Sequence, residues 1–326
     1  MDDRPLVSIV VPTRNEEADI GQTMEALLTI AYRPLEILVV DDSTDRTPGI
    51  VQRYVKDGIR LLRGPRSGRC EARNLGIRES KGEIAVILNA DVQLPPDFVD
   101  RILPHYRNGA DFLLVEARVM NLDFLFPRYV QALHTKTYPD LHQVLWTEGF
   151  SCRRQAALQA GLFPEGFPLP LLGGEDWIFA ERLLANGYSK AVDPKIVVRH
   201  IVPPTFQGFW RQRVDRGRAD PLLKYFLLGR SLLALFAEAW IRSAVTAIAV
   251  GSIAPMALKA VRLSRGSERG VRDILPFAWA AMLEWSGYLV GVWQGLDALA
   301  GLFEKSQVPL RWKRMDRCVG GPLRHG

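Results

Sequence analysis

Five groups of residues in this chain have the types and spacing to act on a charged substrate. Asp41 and Asp42 end the apolar run that starts at Leu35 and precede Ser43, Asp45 and Thr47. Ser43 and Asp45 suit helix capping, because short polar side chains satisfy the free amides of a first turn. Asp41 fits that role less well. A carboxylate at the end of an apolar strand faces the crevice of a sheet, where it can accept hydrogen bonds from a bound base. Asn89, Asp91 and Gln93 follow a second apolar run, Ile84–Leu88. Residues two apart on extended backbone project to one side, so their oxygens suit a divalent cation that bridges a diphosphate. Glu175 and Asp176 open a helix after Gly173 and Gly174. Acids there are either held by the helix dipole or present a general base to a hydroxyl. His200 ends the run Ile196–His200, as a buried structural residue or as a ligand. Arg66, Arg69 and Arg73 surround Gly68 at another helix start, an arrangement for anions held by guanidinium forks and free N–H groups.

These groups need a scaffold that delivers strand ends to one edge. Leu6–Pro12, Leu35–Asp41, Ile84–Leu88 and Asp111–Glu116 are short, nearly continuous apolar runs, the pattern of a parallel sheet covered on both faces. Helical stretches separate them at Glu16–Thr29, Asp45–Lys56, Arg69–Ser80 and Pro96–Arg107. The alternation predicts a doubly wound α/β domain with ligands at the carboxyl ends of its strands. From about 120 to 220 the spacing predicts helices over Phe126–Leu145, Arg153–Ala160, Glu175–Asn186 and Phe206–Gly217, the last one basic, and a short strand over Asp193–His200.

The 326 residues carry a net charge of +6, and its location matters more than its size. Residues 1–223 hold 28 Lys/Arg against 29 Asp/Glu, whereas residues 224–326 hold 14 against 7. The basic excess coincides with apolar runs at Ser243–Val261 and Ile274–Phe303, each long enough for a bilayer, which needs ~20 residues. Tyr225–Ile241, broken by Arg230 and Glu238, suits the membrane interface better. Basic and apolar together predict a membrane surface as partner. Nucleic acid is excluded, since the basic segments lack interleaved aromatics around a groove-reading motif. A spanning hairpin would turn the basic loop Arg262–Arg272 outward, against the positive-inside tendency, so interfacial helices and a re-entrant pair stay open beside it. Cys70, Cys152 and Cys318 are scattered, which argues against disulfides and zinc and for a reducing compartment. The N-terminus shows no basic segment followed by an apolar one, so the first domain is expected in the cytosol.

Taken in order, the motifs resemble family-2 inverting glycosyltransferases of the GT-A fold. The likeness runs over about residues 6–220, through Val7–Glu16, Val40–Thr47, Ala72–Gly76, Lys81–Glu83, Asn89–Asp91, Gly174–Trp177 with Arg182, Gly187-Tyr188, Asp193-Pro194 and His200. It implies a Rossmann-like nucleotide-sugar domain over 1–223 and a helical, membrane-associated region over 224–326. It also implies a nucleoside pocket lined by Pro12, Thr13 and Glu16, with Asp41 or Asp42 reading the base and Arg73 facing the diphosphate. Asp91 corresponds to the metal-binding acid of the family's D-x-D motif, with His200 as a further metal or phosphate contact. Asp176 is the implied general base, with Glu175 orienting acceptor or base. The implied cofactor is Mg2+ or Mn2+, the donor a nucleotide sugar, and the acceptor a lipid-linked or polysaccharide sugar at the cytoplasmic face of a bacterial inner membrane. One departure stands out: Asn89 occupies the place of the first acid. An amide brings no charge, so metal affinity is expected to fall unless Gln93 contributes. Asn89–Pro96 also resembles the matching segment of polyprenyl-phosphate mannose synthases, an alternative within the same chemistry. An inactive membrane scaffold is the alternative of another class.

Overall fold

The computed structural model describes residues 4–304. Cys318 and the basic residues beyond Glu304 lie outside them.

Strand β1 (Val7–Thr13) is flanked by two parallel neighbours, β2 (Leu35–Asp41) and β4 (Ile84–Ile87), and β3 (Ile59–Arg63) extends β2 in parallel. Helices α1 (Ile20–Leu28), α2 (Thr47–Gln52) and α3 (Arg69–Glu79) make the crossovers. The strands are mostly apolar because both faces are covered, and successive side chains point to opposite faces. Val7, Ile9 and Val11 pack with Ile20, Met24 and Leu27 of α1. Val10 turns the other way, onto Cys70 and Ile77 of α3.

The second half differs from the expected parallel sheet. After the two-residue β5 (Val92–Gln93) come α4 (Phe98–Arg107), β6 (Phe112–Val119), α5 (Leu125–Thr137), β7 (Phe150–Arg153), α6 (Arg154–Gln159), α7 (Glu175–Ala185) and β8 (Lys190–His200). The sheet order is β3-β2-β1-β4-β7-β6-β8-β5, and β7 runs antiparallel to both β4 and β6. The sheet is therefore mixed. Four residues, Phe-Ser-Cys-Arg, are too few to show a period, and only the partners on either side make them a strand. β8 is longer than the expected Asp193–His200, with the ladder to β6 interrupted where Val115 pairs Asp193 and Glu116 pairs Val197, so that Pro194 sits in an irregularity that needs no donor.

Helix α8 (Phe206–Phe226) runs through the boundary expected at residue 223, and α9 (Leu232–Ser252), α10 (Ala254–Ser264) and α11 (Ile274–Glu304) follow. The last three have no core of their own. Met256, Ala260 and Phe277 pack with Phe126, Tyr129 and Phe209, and Leu235 and Leu296 pack with Leu171 and Leu222. Arg128 holds Asp273 through two bonds of 3.0 Å, and Glu284 accepts from Tyr129 and Lys259 at 2.5 Å each. Ser243–Val261 is not one segment, because Ile253 adopts φ +62 and separates α9 from α10. Ile274–Phe303 is one helix, but it is docked along α8. Among the described residues one helix, α9, is long and apolar enough to cross a membrane, by length and composition alone.

The α8–α11 seam depends on glycine. A Cβ on Gly217 would lie 2.0 Å from the carbonyl oxygen of Tyr288, and one on Gly291 2.0 Å from that of Val214. Backbone on both sides leaves nothing that can move aside. Gly217→Ala should therefore destabilise the protein by about 1–3 kcal/mol. The measurement is urea unfolding, with a matched substitution at Gly251, where no atom lies within 4 Å, expected to leave the seam intact.

Candidate active site

Asp41 leaves the end of β2 with both oxygens engaged. Thr13 at the end of β1 donates to Oδ1 at 2.8 Å, Ser43 donates to the same atom at 2.7 Å, and the Ser43 amide reaches Oδ2 at 3.3 Å. The carboxylate is thus fixed in direction before any ligand arrives. Asp42 accepts from the Arg66 amide at 2.8 Å, and it packs so closely on Gly64 that a Cβ there would be 2.3 Å from its oxygen. Asn15 takes φ +59 and accepts from the Thr44 amide, while the Glu16 amide donates to Thr47, so the loops after β1 and β2 are laced together beside Pro12. Asp45 accepts from the Thr47 amide at 2.9 Å in a local turn just before α2, whose N-cap position is Arg46 without a side-chain cap, so neither Ser43 nor Asp45 caps the helix as expected. Burial, with the charges of Asp91 and Asp19, pushes Glu16 up to about 7.

Below this pocket, β5 pairs with the end of β8 and sets Asp91 against His200, Oδ2 to Nε2 3.2 Å. Asp91 Oδ1 is buried and has no hydrogen-bond partner. Burial lowers the pKa of His200, yet Asp91 and Glu148 outweigh it and raise it to about 9. Gln93 is placed elsewhere. Its amide turns to Gln22 at 3.5 Å, and its side of the strand faces a separate groove with Arg118 and Arg199.

The structure corrects two expectations at once. Arg73 does not face an open diphosphate site: it is 3% exposed, under the rings of Phe163 and Trp146, and donates to Glu175 Oε1 at 3.0 Å and to Asn89 Oδ1 at 2.9 Å. A buried guanidinium needs such partners, since an unpaired charge in the interior is costly. Asn89 has no free oxygen to stand in for an acid. Its oxygen serves Arg73, and its nitrogen donates to Glu148 Oε2 at 2.6 Å. Arg69 is the guanidinium left half open at the mouth, 3.4 Å from Glu175.

Glu175 and Asp176 begin α7 after Gly174, which takes φ +79 and lies where a Cβ would strike Leu223 of α8. The first turn favours their charges through the helix dipole. Glu175 is 2% exposed, bonded to Arg73 and Arg69, with Oε2 left without a partner. Asp176 accepts from the Trp177 amide at 2.7 Å. Burial, with the adjoining Glu175 charge, pushes its carboxyl up to about 6. A carboxylate of that affinity beside a cleft can accept a proton near neutral pH.

A cation fits this set in one way. Among the described residues no three His, Cys, Asp or Glu side chains gather to hold a metal unaided. Asp91 nonetheless offers a bare buried oxygen. His200, held protonated beside it, would offer a nitrogen only on losing that proton to the incoming cation's charge, and diphosphate oxygens and water would have to complete the shell. Two residues at the site escaped the sequence reading. Glu148 belongs to no motif and reaches Asn89 across 59 positions. Arg216, whose charge acts on Glu148 and His200, lies on the basic helix α8, and that basic spacing is the one signal that pointed to it.

Residues 8–167 match the model of glycosyl transferase family 2. Curated relatives include a beta-monoglucosyldiacylglycerol synthase of Synechocystis sp., 34% identical over 110 residues, or 31% of this chain and 23% of that protein. An undecaprenyl-phosphate 4-deoxy-4-formamido-L-arabinose transferase of Pectobacterium carotovorum is 30% identical over 134 residues, 39% of this chain and 41% of its own length. The chain thus aligns with less than half of each. Among solved structures, a mannosyltransferase of Pyrobaculum calidifontis in complex with GDP-Man and Mn2+ matches at a TM-score of 0.51 with 22% identity, over 94% of this chain and 77% of that one. TarS of S. aureus with UDP matches at 0.50 with 17% identity, over 92% of each. These likenesses show the fold.

The Arg73 arrangement has a direct consequence. Arg73→Met leaves Glu175 buried beside Arg69 alone and removes the donor to Asn89. Loss of one partner of a buried ion pair costs about 3–5 kcal/mol, so the variant should unfold at distinctly lower urea. A variant as stable as wild type would show that the guanidinium is not the counter-charge of Glu175.

Proposed function

This chain carries a glycosyl transferase family 2 domain, and we propose that it transfers a sugar from a nucleoside diphosphate-sugar to a hydroxyl of a lipid-borne acceptor, with inversion at the anomeric carbon. The observation that carries the reading is Asp176: a carboxylate at the start of α7, raised to about 6 and within the field of Arg73 and Glu148, the latter acting in turn on His200 of the Asp91–His200 pair. Asp41, held by Thr13 and Ser43, is the acceptor for the base, and Asp42 shapes the adjoining loop. Pro12 and Glu16 line the same pocket. Asp91 and His200 would hold a divalent cation, which supplies positive charge to the leaving diphosphate. Asp176 takes the proton of the acceptor hydroxyl as that oxygen bonds to the anomeric carbon. The bond from that carbon to the diphosphate oxygen breaks on the opposite side, and its electrons leave with the nucleoside diphosphate. Glu175, locked by Arg73, holds the first turn of α7 and with it the direction of Asp176. The inactive-scaffold alternative does not account for a raised carboxyl and an Asp–His pair gathered at one crevice.

The acceptor class follows from the other end of the molecule. Helix α9 leaves Leu233, Trp240, Ile241 and Ile248 exposed, Leu233 by 81% and Ile248 by 70%. Leu275, at the start of α11, is exposed by 82%. Arg262, Arg265, Arg269 and Arg272 are exposed beside them. An apolar face with a basic rim suits an anionic bilayer surface. We place α9 in or on the cytoplasmic face of an inner membrane, with the acceptor drawn from it. The relatives named for a diacylglycerol product and for undecaprenyl phosphate support a lipid acceptor, and they keep a polyprenyl phosphate open beside a lipid-linked sugar.

Three measurements test this. Asp176→Asn should lower turnover by roughly 10²–10⁴-fold while nucleotide binding stays within error; a variant that keeps a tenth of the wild-type rate removes Asp176 from the role. In the wild type the carboxylate form grows as pH rises through about 6, so kcat should fall tenfold per unit below that value. Ile241→Glu with Ile248→Glu should release the protein from anionic vesicles in flotation without changing its melting temperature, since both side chains already face outward.

A further inference from the structure

An acid at position 89 is what the family pattern leads one to expect, and the structure shows why an amide is there. Asn89 accepts from Arg73 through its oxygen and donates to Glu148 through its nitrogen. An aspartate in its place would have nothing to donate. Two carboxylates that close cannot both stay ionised without a cation between them. Asn89 is thus the residue that Glu148 requires, and the unusual amide points to an unusual acid.

Glu148 is set firmly. On one side the Thr147 hydroxyl accepts from the Val115 amide at 3.2 Å. On the other, Gly149 takes φ +74 and turns the chain into β7, so close to Val198 that a Cβ would lie 2.9 Å away. Burial pushes the Glu148 carboxyl up, and the charges that act on it are those of the site: His200, Arg73 and Arg216 favour its ionised form and Asp91 opposes it. A carboxylate held against an amide at the edge of an Asp–His pair has its natural use in the charge balance of that pair.

We infer that Glu148 supplies, at one remove from the divalent cation, the negative charge that position 89 lacks, and that Asn89 is the amide that holds it in place. Glu148 is a positioning charge and not a direct ligand, consistent with the absence of a three-residue metal group among the described residues. The inference rests on the glycosyl-transfer reading, because the cation and the diphosphate come from it. Asn89→Asp should therefore not tighten the cation site, although it restores the family's acid.

The test is a mutant cycle read by binding and by melting. Titration calorimetry with UDP and GDP, each with and without Mn2+, gives the Mn2+-dependent affinity, and thermal unfolding without metal reports the pair itself. Glu148→Gln keeps an acceptor for the Asn89 amide and removes the charge. It should melt close to wild type and lose roughly 10–100-fold in Mn2+-dependent affinity, the range for groups that act behind a ligand. Asn89→Asp should melt lower and gain no affinity. The double variant exchanges the partners, since the amide introduced at position 148 can donate to the carboxylate introduced at position 89. Its affinity should return to within roughly threefold of wild type, the non-additivity expected of groups in contact. Glu148→Gln with wild-type affinity, or a double variant no better than the weaker single, overturns the inference while leaving glycosyl transfer standing. A wild-type protein that binds neither nucleotide with Mn2+ overturns both.

Discussion

The site is built around one buried cation. Arg73 has five N–H donors in a rigid plane, almost no water, and partners on two different elements. It comes from α3 and reaches the end of β4 at Asn89 and the start of α7 at Glu175. Glu175 is 102 residues away along the chain, and Arg73 bridges that distance with a single side chain. Desolvating a guanidinium is expensive unless it is paired. The two terminal nitrogens of Arg73 are used on Glu175 and Asn89 while its Nε stays buried without a partner, so its burial depends on the strand end and the helix start standing where it can reach them. The glycosyl-transfer geometry follows from that constraint. Phe163 and Trp146 close over the guanidinium, which keeps water from competing for it and makes the geometry stiff.

Much of this was legible in the sequence, for reasons tied to burial. β1, β2 and β4 read as strands because both faces are covered, which leaves few polar residues to blur the run. Asp41 read as a ligand group because it ends such a run. Asp91, Glu175, Asp176 and His200 were singled out by their order along the chain, which a comparison of motifs detects without knowing where they meet. Arg73 was found too, but its direction was misjudged. A guanidinium at a helix start looks like an anion site, and only the distant Glu175 reveals that the anion is already supplied by the protein. Glu148 was invisible for the same reason. Its meaning depends on Asn89 across 59 residues, and no periodicity carries such a contact. β7 failed as a sequence signal because four residues contain no period.

The C-terminal helices show a different limit. Hydrophobic composition gives the free energy of leaving water, but it does not distinguish lipid from protein as the destination. α9 and α11 are both long and apolar, and they do opposite things. α11 carries Gly287, Gly291 and Gly295 at four-residue steps, which align on one face and let its backbone touch that of α8. α9 has no such glycine row; it packs through Leu235 and Ala239 and leaves Leu233, Trp240, Ile241 and Ile248 exposed. The spacing of the glycines, more than mean hydropathy, separates the helix whose backbone docks on α8 from the one that leaves a row of large apolar side chains exposed.

That distinction ties the two ends of the molecule together. α8 carries Arg216, whose charge acts on Glu148 and His200, and also Leu223, which closes on Gly174 at the start of α7. The same helix forms the glycine seam with α11 through Gly217. The contacts at Gly287, Gly291 and Gly295 advance together along both helices, so the two run parallel, and the return path must be made by α9 and α10. The apolar face is therefore part of the loop that closes the bundle, and α9 is joined to it through Leu235 and Ala239, which pack with Leu222 and Leu296. A bilayer that orients α9 would on this geometry also orient α7, and an acceptor headgroup would approach Asp176 from a direction set by the fold. Substrate choice would then begin with the seat on the membrane: a soluble acceptor of the same chemistry would have to find that direction by diffusion, whereas a lipid acceptor arrives with it.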